Sequence, residues 1–274
     1  LSSFRLRGKS LADTLPAVIE RRHAVDFWDL HRQAQPLLLC NIWDAASARL
    51  AEALGFSALG TSSAAMSSLL GHPDGEGMPF SSLLELARCI RASTRLPLSV
   101  DIEAGYSRDP AQVAEHVTRL LELGVVAINL EDSLVVNGKR RLRDPDEFAA
   151  MIAEVRAHVS QPCFFNIRTD AFLLGMEGAL DVCLGRAERY RHAGADGLFA
   201  PGVVDPEAIA ALAVGASLPL NVMCMPGLPD FSVLAELGVK RISMGDFLFE
   251  KTLQQLGASW QAILRQQSFE SVYS

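Results

Sequence analysis

Four times along the chain the same joint recurs: a helical stretch ends on a glycine and an apolar strand begins two or three residues later. The copies read AEALGFSAL at 51–59, LELGVVAI at 121–128, RHAGADGLF at 191–199 and LAELGVKRI at 234–242. A glycine at the end of a helix supplies the positive φ that stops it, and the short spacer turns the chain straight back into a strand. A series of such joints predicts βα units, with parallel strands inside and helices outside. Their uneven intervals exclude a solenoid of fixed repeat.

The strand count then selects the architecture. Eight β-branched or leucine-rich runs stand at 36–41, 58–61, 98–101, 126–131, 163–168, 197–200, 220–223 and 241–243, with helical segments near 44–54, 80–94, 110–123, 145–159, 175–193, 205–214, 230–237 and 246–271. Asp109-Pro110, Asp144-Pro145 and Asp205-Pro206 each set a capping carboxylate before a proline in a first helical turn. Eight units in 274 residues, 49% of them apolar, predict an α/β fold of the (β/α)8 TIM type, which takes about 250 residues as one core. The expected division is an N-terminal helical extension over 1–35 and one barrel domain with C-terminal helices over 36–274. In the extension, Leu15, Val18, Ile19, Val25, Phe27, Trp28 and Leu30 form an apolar face suited to covering the N-terminal barrel mouth or meeting another subunit. The longest interruption of the barrel, 62–79, holds GHPDGEGMP and is expected to be a mobile loop at the functional end.

A formal net charge of −7 with scattered Lys and Arg argues against a nucleic-acid partner. Five cysteines without a CxxC pair read as reduced core thiols of a cytoplasmic protein. No run of about 18 apolar residues suggests a membrane span, and no charged n-region leads into an apolar h-region.

Barrels of this kind build their chemistry where strands end. The strand exits here are Asn41 and Asp44; Thr61, Ser62 and Ser63; Asp101 and Glu103; Glu131 and Asp132; Asn166, Arg168 and Asp170; Ala200, Pro201 and Gly202; Asn221; and Ser243 with Asp246. Carboxylates converging from adjacent strands repel one another unless a cation neutralises them. An all-oxygen set predicts Mg²⁺, with Mn²⁺ as its substitute, and disfavours zinc because none of the six histidines stands at a strand exit. The alternative is that Asp101 and Glu131 cap loops or pair with basic side chains. Arg168 suits a substrate carboxylate and equally suits an ion pair with Asp170 or Glu131. The Thr61–Ser63 turn offers hydroxyls and successive N–H groups to an anion, and Asn221 is a further candidate for substrate binding.

Taken with their neighbours, these exits resemble the isocitrate lyase/phosphoenolpyruvate mutase superfamily. The matching phrases are NIWDAASARL at 41–50, ALGTSSAAMSSLLGHPDGE at 58–76, SVDIEAGYS at 99–107, NLEDS at 129–133, NIRTDAF at 166–172 and ISMGDFL at 242–248. The resemblance implies Mg²⁺ held directly or through water by Asp74, Asp101, Glu103 and Glu131, a substrate anion on Arg168, and a 2-oxo carboxylate in the Thr61–Ser63 turn. It also implies C-terminal helices exchanged between subunits, and the apolar face of Phe247, Phe249, Leu253, Leu256, Trp260 and Ile263 agrees with a homodimer or homotetramer.

The departures bear on the reaction. After strand four the chain reads EDSLVVNGKRRLRDP, without the KxCGH-type motif of isocitrate and methylisocitrate lyases. Asn137, Lys139 and Arg140 resemble a phosphonate-type gating loop in chemistry but not in order, the family's histidine beyond strand six is replaced near Pro201, and Glu103 stands for a more usual second Asp. The reading that follows is a Mg²⁺-dependent carbon–carbon lyase or hydrolase for a small anionic 2-oxo or 2-hydroxy dicarboxylate, passing through an enolate. Asp101, Glu131, Arg168 and Lys139 are its catalytic candidates, with Tyr106, Lys139, Arg140 and a metal-bound water as candidate proton donors. A C–P bond enzyme acting on phosphonopyruvate is the first alternative, and a 2-oxo-acid binding protein that has lost turnover is the second.

Overall fold

The computed structural model describes residues 27–273 and, before them, the backbone of one antiparallel pair, Arg5–Leu6 with Lys9–Ser10. Leu15, Val18, Ile19 and Val25 lie outside the described residues.

The expected strands all form. The first, β1, comes in two pieces, Leu37–Leu38 and Cys40–Ile42. It is followed by β2 Leu59–Thr61, β3 Leu98–Asp101, β4 Ala127–Glu131, β5 Phe164–Arg168, β6 Gly197–Phe199, β7 Leu220–Met223 and β8 Arg241–Ser243. Every neighbouring pair among them is parallel. Cys40–Ile42 pairs with β2 while Leu37–Leu38 pairs with β8, and the Leu39 amide between them donates to the Ile242 carbonyl at 2.9 Å. That split closes the sheet into a barrel.

Local chemistry places the units as expected. The Asp109, Asp144 and Asp205 side chains accept from backbone N–H groups of Ala111, of Asp146 and Glu147, and of Ala208, at 2.9 to 3.1 Å, opening the helices Pro110–Glu122, Pro145–His158 and Pro206–Gly215. The joint glycines Gly55, Gly124, Gly194 and Gly238 have φ of 86, 86, 103 and 88°, a region where a Cβ is penalised.

Two segments depart from expectation. The first part of the interruption at 62–79 is a seven-residue helix, Ser63–Leu69, capped by the Ser62 hydroxyl. After β4 the chain forms an antiparallel hairpin, Ser133–Val136 with Lys139–Leu142. The cysteines are all free, but Cys89 and Cys224 are exposed rather than in the core. Among the described residues no helix is long and apolar enough to cross a membrane.

Period-two alternation layers the barrel interior. At the bottom, Phe27 and Leu30 from the helix Phe27–Leu30 pack with Leu37, Leu39, Ala58, Ala127 and Phe164, while His31 stacks on Phe164 at 4.3 Å. The end of the N-terminal segment thus fills the barrel floor, as its apolar face suggested. The next layer is polar: the Asn166 amide donates to Asn129 Oδ1 and Asn221 Oδ1 at 2.9 and 3.1 Å, and Arg241 Nη2 reaches Asn129 Oδ1 at 3.3 Å. Register sets Glu131 and Arg168 two residues above Asn129 and Asn166, on the same inward face.

Candidate active site

The end of β3 turns sharply. Glu103 and Tyr106 adopt positive φ of 49 and 60°, which non-glycine residues tolerate only when surroundings hold them there. The holding contacts are visible. Glu103 N–H donates to Asp101 Oδ1 at 3.0 Å, the Tyr106 hydroxyl to Glu103 Oε1 at 3.0 Å, and the Tyr106 amide to Glu76 Oε1 at 2.6 Å. The Glu76 amide in turn donates to the Glu103 carboxylate, and Arg108 pairs with the Glu76 carboxylate. The 71–79 segment is thereby fastened down over the β3 exit. His116, buried and stacked on Phe80 at 3.8 Å, has Nδ1 3.0 Å from the Gly105 carbonyl and supports the turn from behind.

Across the mouth, Arg168 lies between two carboxylates. Its Nε and Nη2 reach Asp170 Oδ1 and Oδ2 at 2.6 and 3.2 Å, and its Nη1 meets Glu131 Oε2 at 3.0 Å. The Ser133 hydroxyl donates to Asp170 Oδ2 at 2.5 Å, and its oxygen lies 3.3 Å from Glu131 Oε1. The Ser63 hydroxyl donates to Asp101 Oδ2 at 3.2 Å, and Thr61 Oγ1 accepts from the Asp101 amide at 2.9 Å.

Asp101, Glu103 and Glu131 are 8, 2 and 3% exposed, and burial dominates their ionisation. Glu103 is pushed up to about 8 by burial and then by the charges of Asp101 and Asp74. Asp101 is raised by burial against the pull of Arg168. Glu131 is raised too, because burial together with Asp170 and Asp101 outweighs Arg168 and Arg140. Asp170 goes the other way: burial opposes it, but the charge and hydrogen bonds of Arg168 hold it below the usual range. Burial and the neighbouring Glu103 raise Tyr106, so its hydroxyl keeps its proton.

Asp101, Glu103, Glu131, Arg168, Ser63 and Thr61 converge as the sequence suggested. Ser62 serves as a helix cap, its hydroxyl accepting from the Ala65 amide at 3.3 Å. Asp74 reaches the cluster through Arg140, whose Nη2 is 2.8 Å from its Oδ2. Lys139 is not brought in: alternation in the hairpin turns it outward to solvent and turns Arg140 inward. Asn221 is not at the open face either, since its amide donates to the Val222 carbonyl at 2.6 Å and to Ser243 Oγ at 3.1 Å inside the barrel wall. Asp132, read as a strand-exit carboxylate, faces away and is bound by Arg186 Nη1 at 2.9 Å and the Tyr190 hydroxyl at 2.8 Å. Sequence reasoning passed over Asp170 as a hub and Arg241, which is 1% exposed beneath the cluster, with its pKa lowered to about 9 by burial.

The oxygen-only donor set suits a hard divalent cation, and its crowded, raised carboxylates are what such an ion relieves. In this conformation the same oxygens are turned onto the guanidiniums, Tyr106 and the Glu76 amide. Accordingly, among the described residues no three Asp, Glu, His or Cys side chains are gathered in ligating geometry.

Comparison with known proteins agrees with this architecture. Residues 27–264 match the family model for phosphoenolpyruvate phosphomutase. An uncharacterized protein of Mycobacterium tuberculosis (strain ATCC 25618 / H37Rv) is 39% identical over 221 residues, 81% of this chain and 82% of the relative. Oxaloacetate decarboxylase of Paraburkholderia xenovorans (strain LB400) is 34% identical over 235 residues, 82% of this chain and 77% of the relative. A crystal structure of a provisionally assigned phosphonomutase from Burkholderia cenocepacia J2315 superposes with a TM-score of 0.80 at 42% identity, covering 85% of this chain and 96% of that one. The chain therefore belongs to the phosphoenolpyruvate phosphomutase family.

Proposed function

We propose that the chain is a Mg²⁺-dependent enzyme that breaks a carbon–carbon bond in a small 2-oxo or 2-hydroxy dicarboxylate, leaving an enolate that is then protonated. The observation that carries this reading is the buried convergence of Asp101, Glu103 and Glu131 beside Arg168. It joins a place for a divalent cation to a fixed donor for an anionic group. The oxaloacetate decarboxylase relative supports a dicarboxylate substrate.

Asp101, Glu103 and Glu131, with Asp74 from the 71–79 segment, would hold the cation. Bound there, the ion supplies Lewis acidity to oxygens on which negative charge develops. Arg168, locked on edge by Asp170, binds a substrate carboxylate in one orientation. The Thr61–Ser63 turn would receive the other end of the substrate. Tyr106 keeps its proton beside Glu103 and would be the candidate side chain to protonate the product carbanion. The strapped 71–79 segment and the hairpin would limit access of water to the mouth.

The test is a Mg²⁺ turnover screen of wild type and Asp101→Ala with oxaloacetate, malate-type and methylmalate-type acids beside phosphonopyruvate, following pyruvate, glyoxylate, oxalate and phosphate. Metal-dependent cleavage of a dicarboxylate that Asp101→Ala reduces at least about 10³-fold is expected. Turnover of phosphonopyruvate alone would move the chain to C–P chemistry, which the phosphonomutase likeness favours. Binding without turnover of any of these would overturn an enzymatic role.

The same reading includes a homo-oligomer. The helix Phe247–Gln266 buries only Phe249, while Leu248, Leu253, Leu256, Trp260 and Leu264 remain 41 to 70% exposed. Beside its first turn lies a cleft of about 660 Å³ lined by Leu38, Met225, Leu228, Phe231, Met244 and Leu248, apart from Asp101, Glu103, Glu131 and Asp170. An apolar stripe next to an apolar cleft fits a second copy exchanging this helix. Light scattering at micromolar concentration should give at least twice the 29.7 kDa of one chain, and Leu256→Glu with Trp260→Glu should lower that mass. A wild-type monomer would refute the exchange.

A further inference from the structure

The hairpin after β4 adds a residue that the reading above does not use. Two four-residue strands and a tight turn are marginal on their own, so what fixes this hairpin to the barrel matters. Val135 packs on Gly75, where an added Cβ would come within 2.8 Å of the Val135 Cβ. The other attachment is Arg140. Its Nη2 lies 2.8 Å from Asp74 Oδ2, and its Nη1 contacts Glu131 Oε1, Ser133 Oγ at 2.9 Å and Asp170 Oδ2 at 3.3 Å. One guanidinium thus ties together carboxylates from the 71–79 segment, the end of β4 and the exit of β5.

Asp74 and Glu131 are two of the residues that would hold a divalent cation. A cation held by Asp74 and Glu131 would need carboxylates that Arg140 now occupies, so the guanidinium and the ion would compete. Arg168 cannot yield in the same way, because Asp170 grips it through two bonds from the same strand exit. Arg140 sits on a hairpin held by few contacts and can turn without disturbing the barrel. Displaced, it would remain above the mouth as a desolvated positive charge without its former partners. The arrangement then calls for a further anionic group that arrives with the cation, beside the one held by Arg168.

We infer that Arg140 keeps the cation's place on Asp74 and Glu131 in the unliganded enzyme and, once displaced, selects substrates that carry a second carboxylate. This rests on the dicarboxylate reading above and assigns the specificity of that site to one side chain.

The experiment compares wild type, Arg140→Gln and Arg140→Lys as full-length protein. Calorimetric titration with Mn²⁺ alone comes first. Removing the competing guanidinium removes the population penalty on metal binding, so Arg140→Gln should bind Mn²⁺ about tenfold more tightly than wild type. Equal or weaker Mn²⁺ binding by a folded Arg140→Gln protein overturns the inference. Wild type that binds no Mn²⁺ overturns the metal reading itself, a separate result. With Mn²⁺ saturating, binding of pyruvate and of 3,3-difluorooxaloacetate, which carries the second carboxylate, is then compared. Wild type should prefer the dianion by at least about 30-fold, the size expected of a desolvated charge pair. Arg140→Gln should lose that preference while still binding pyruvate, and Arg140→Lys should restore part of it. If Arg140→Gln keeps the full preference, another residue reads the second carboxylate. Should Arg140→Gln fail to fold, Arg140→Lys decides: its non-planar ammonium cannot bridge Asp74 and Glu131 as the fork does, so unchanged Mn²⁺ affinity and unchanged preference would overturn the inference.

Discussion

Replacing Arg168 with methionine is expected to lower folding stability by about 3–5 kcal/mol, the range for removing one partner of a buried ion pair. It should also reduce kcat/KM for the dicarboxylate by about 10²–10³-fold, the loss of one well-placed charged donor. The two effects share an origin. Methionine fills similar volume but leaves Asp170, fully buried, with the Ser133 hydroxyl and the edge of Arg140 as its remaining side-chain donors. It also leaves Glu131 without its 3.0 Å partner. Arg168→Lys separates them. An ammonium restores a positive charge but not the fork that spans both Asp170 oxygens, so more than half of the stability should return while kcat/KM stays low. Urea unfolding and steady-state kinetics on the three proteins measure both. A methionine variant with wild-type stability and KM would show that Arg168 neither holds Asp170 nor binds substrate.

The architecture was legible because it rests on local signals that tertiary structure did not override. The Gly55, Gly124, Gly194 and Gly238 joints and the Asp-Pro caps each satisfy a backbone requirement within a few residues, so spacing alone located the eight strands. The site was half legible for the same reason. Asp101, Glu131 and Arg168 end their strands on the inward alternation, and position was enough to place them. Asp132 follows Glu131 and therefore takes the opposite face, where Arg186, far along the chain, receives it. Strand alternation could have said so.

The hairpin was hidden because SLVVNGKRRL carries its turn signal, Asn137-Gly138, in a stretch judged by its missing lyase motif. That dipeptide with φ of 53 and 71° is the standard two-residue hairpin signal. Applied there, it would have set Lys139 outward and Arg140 inward, and exchanged one candidate for the other. Arg241 was beyond sequence reasoning. KRIS reads like an ordinary edge of a strand, and only the closed barrel shows that its second residue crosses the interior to Asn129.

Without divalent cations, the protein should lose stability as pH rises from about 5 to 8, and Glu103→Gln should remove much of that loss. Glu103 has an ordinary pKa of 4.5 and stands at about 8 in the folded chain. Below 4.5 both states carry the proton, and the group costs the fold nothing. Between these values the unfolded chain releases a proton that the folded chain retains, so stability falls by up to about 1.4 kcal/mol per pH unit from this group. The loss is complete once pH passes the folded value. Asp101 and Glu131, raised by the same burial, add slopes of the same sign. Asp170, lowered by Arg168, contributes stability that disappears only as pH falls toward its folded value, so it does not offset them in this window. An amide in place of Glu103 is a neutral isostere that can accept from the Glu76 amide and donate to the Tyr106 oxygen. At pH 8 in EDTA it should be about 2 kcal/mol or more above wild type, scaled down from the full shift for relaxation of the site, and at pH 5 the two should coincide. Adding Mg²⁺ at pH 8 should then raise the wild-type Tm more than that of Glu103→Gln, since only the carboxylate gains from a bound ion. Parallel stability–pH curves for the two proteins would mean that Glu103 ionises normally in the fold. The crowded carboxylates would then hold no reserve of unfavourable charge for a cation to relieve.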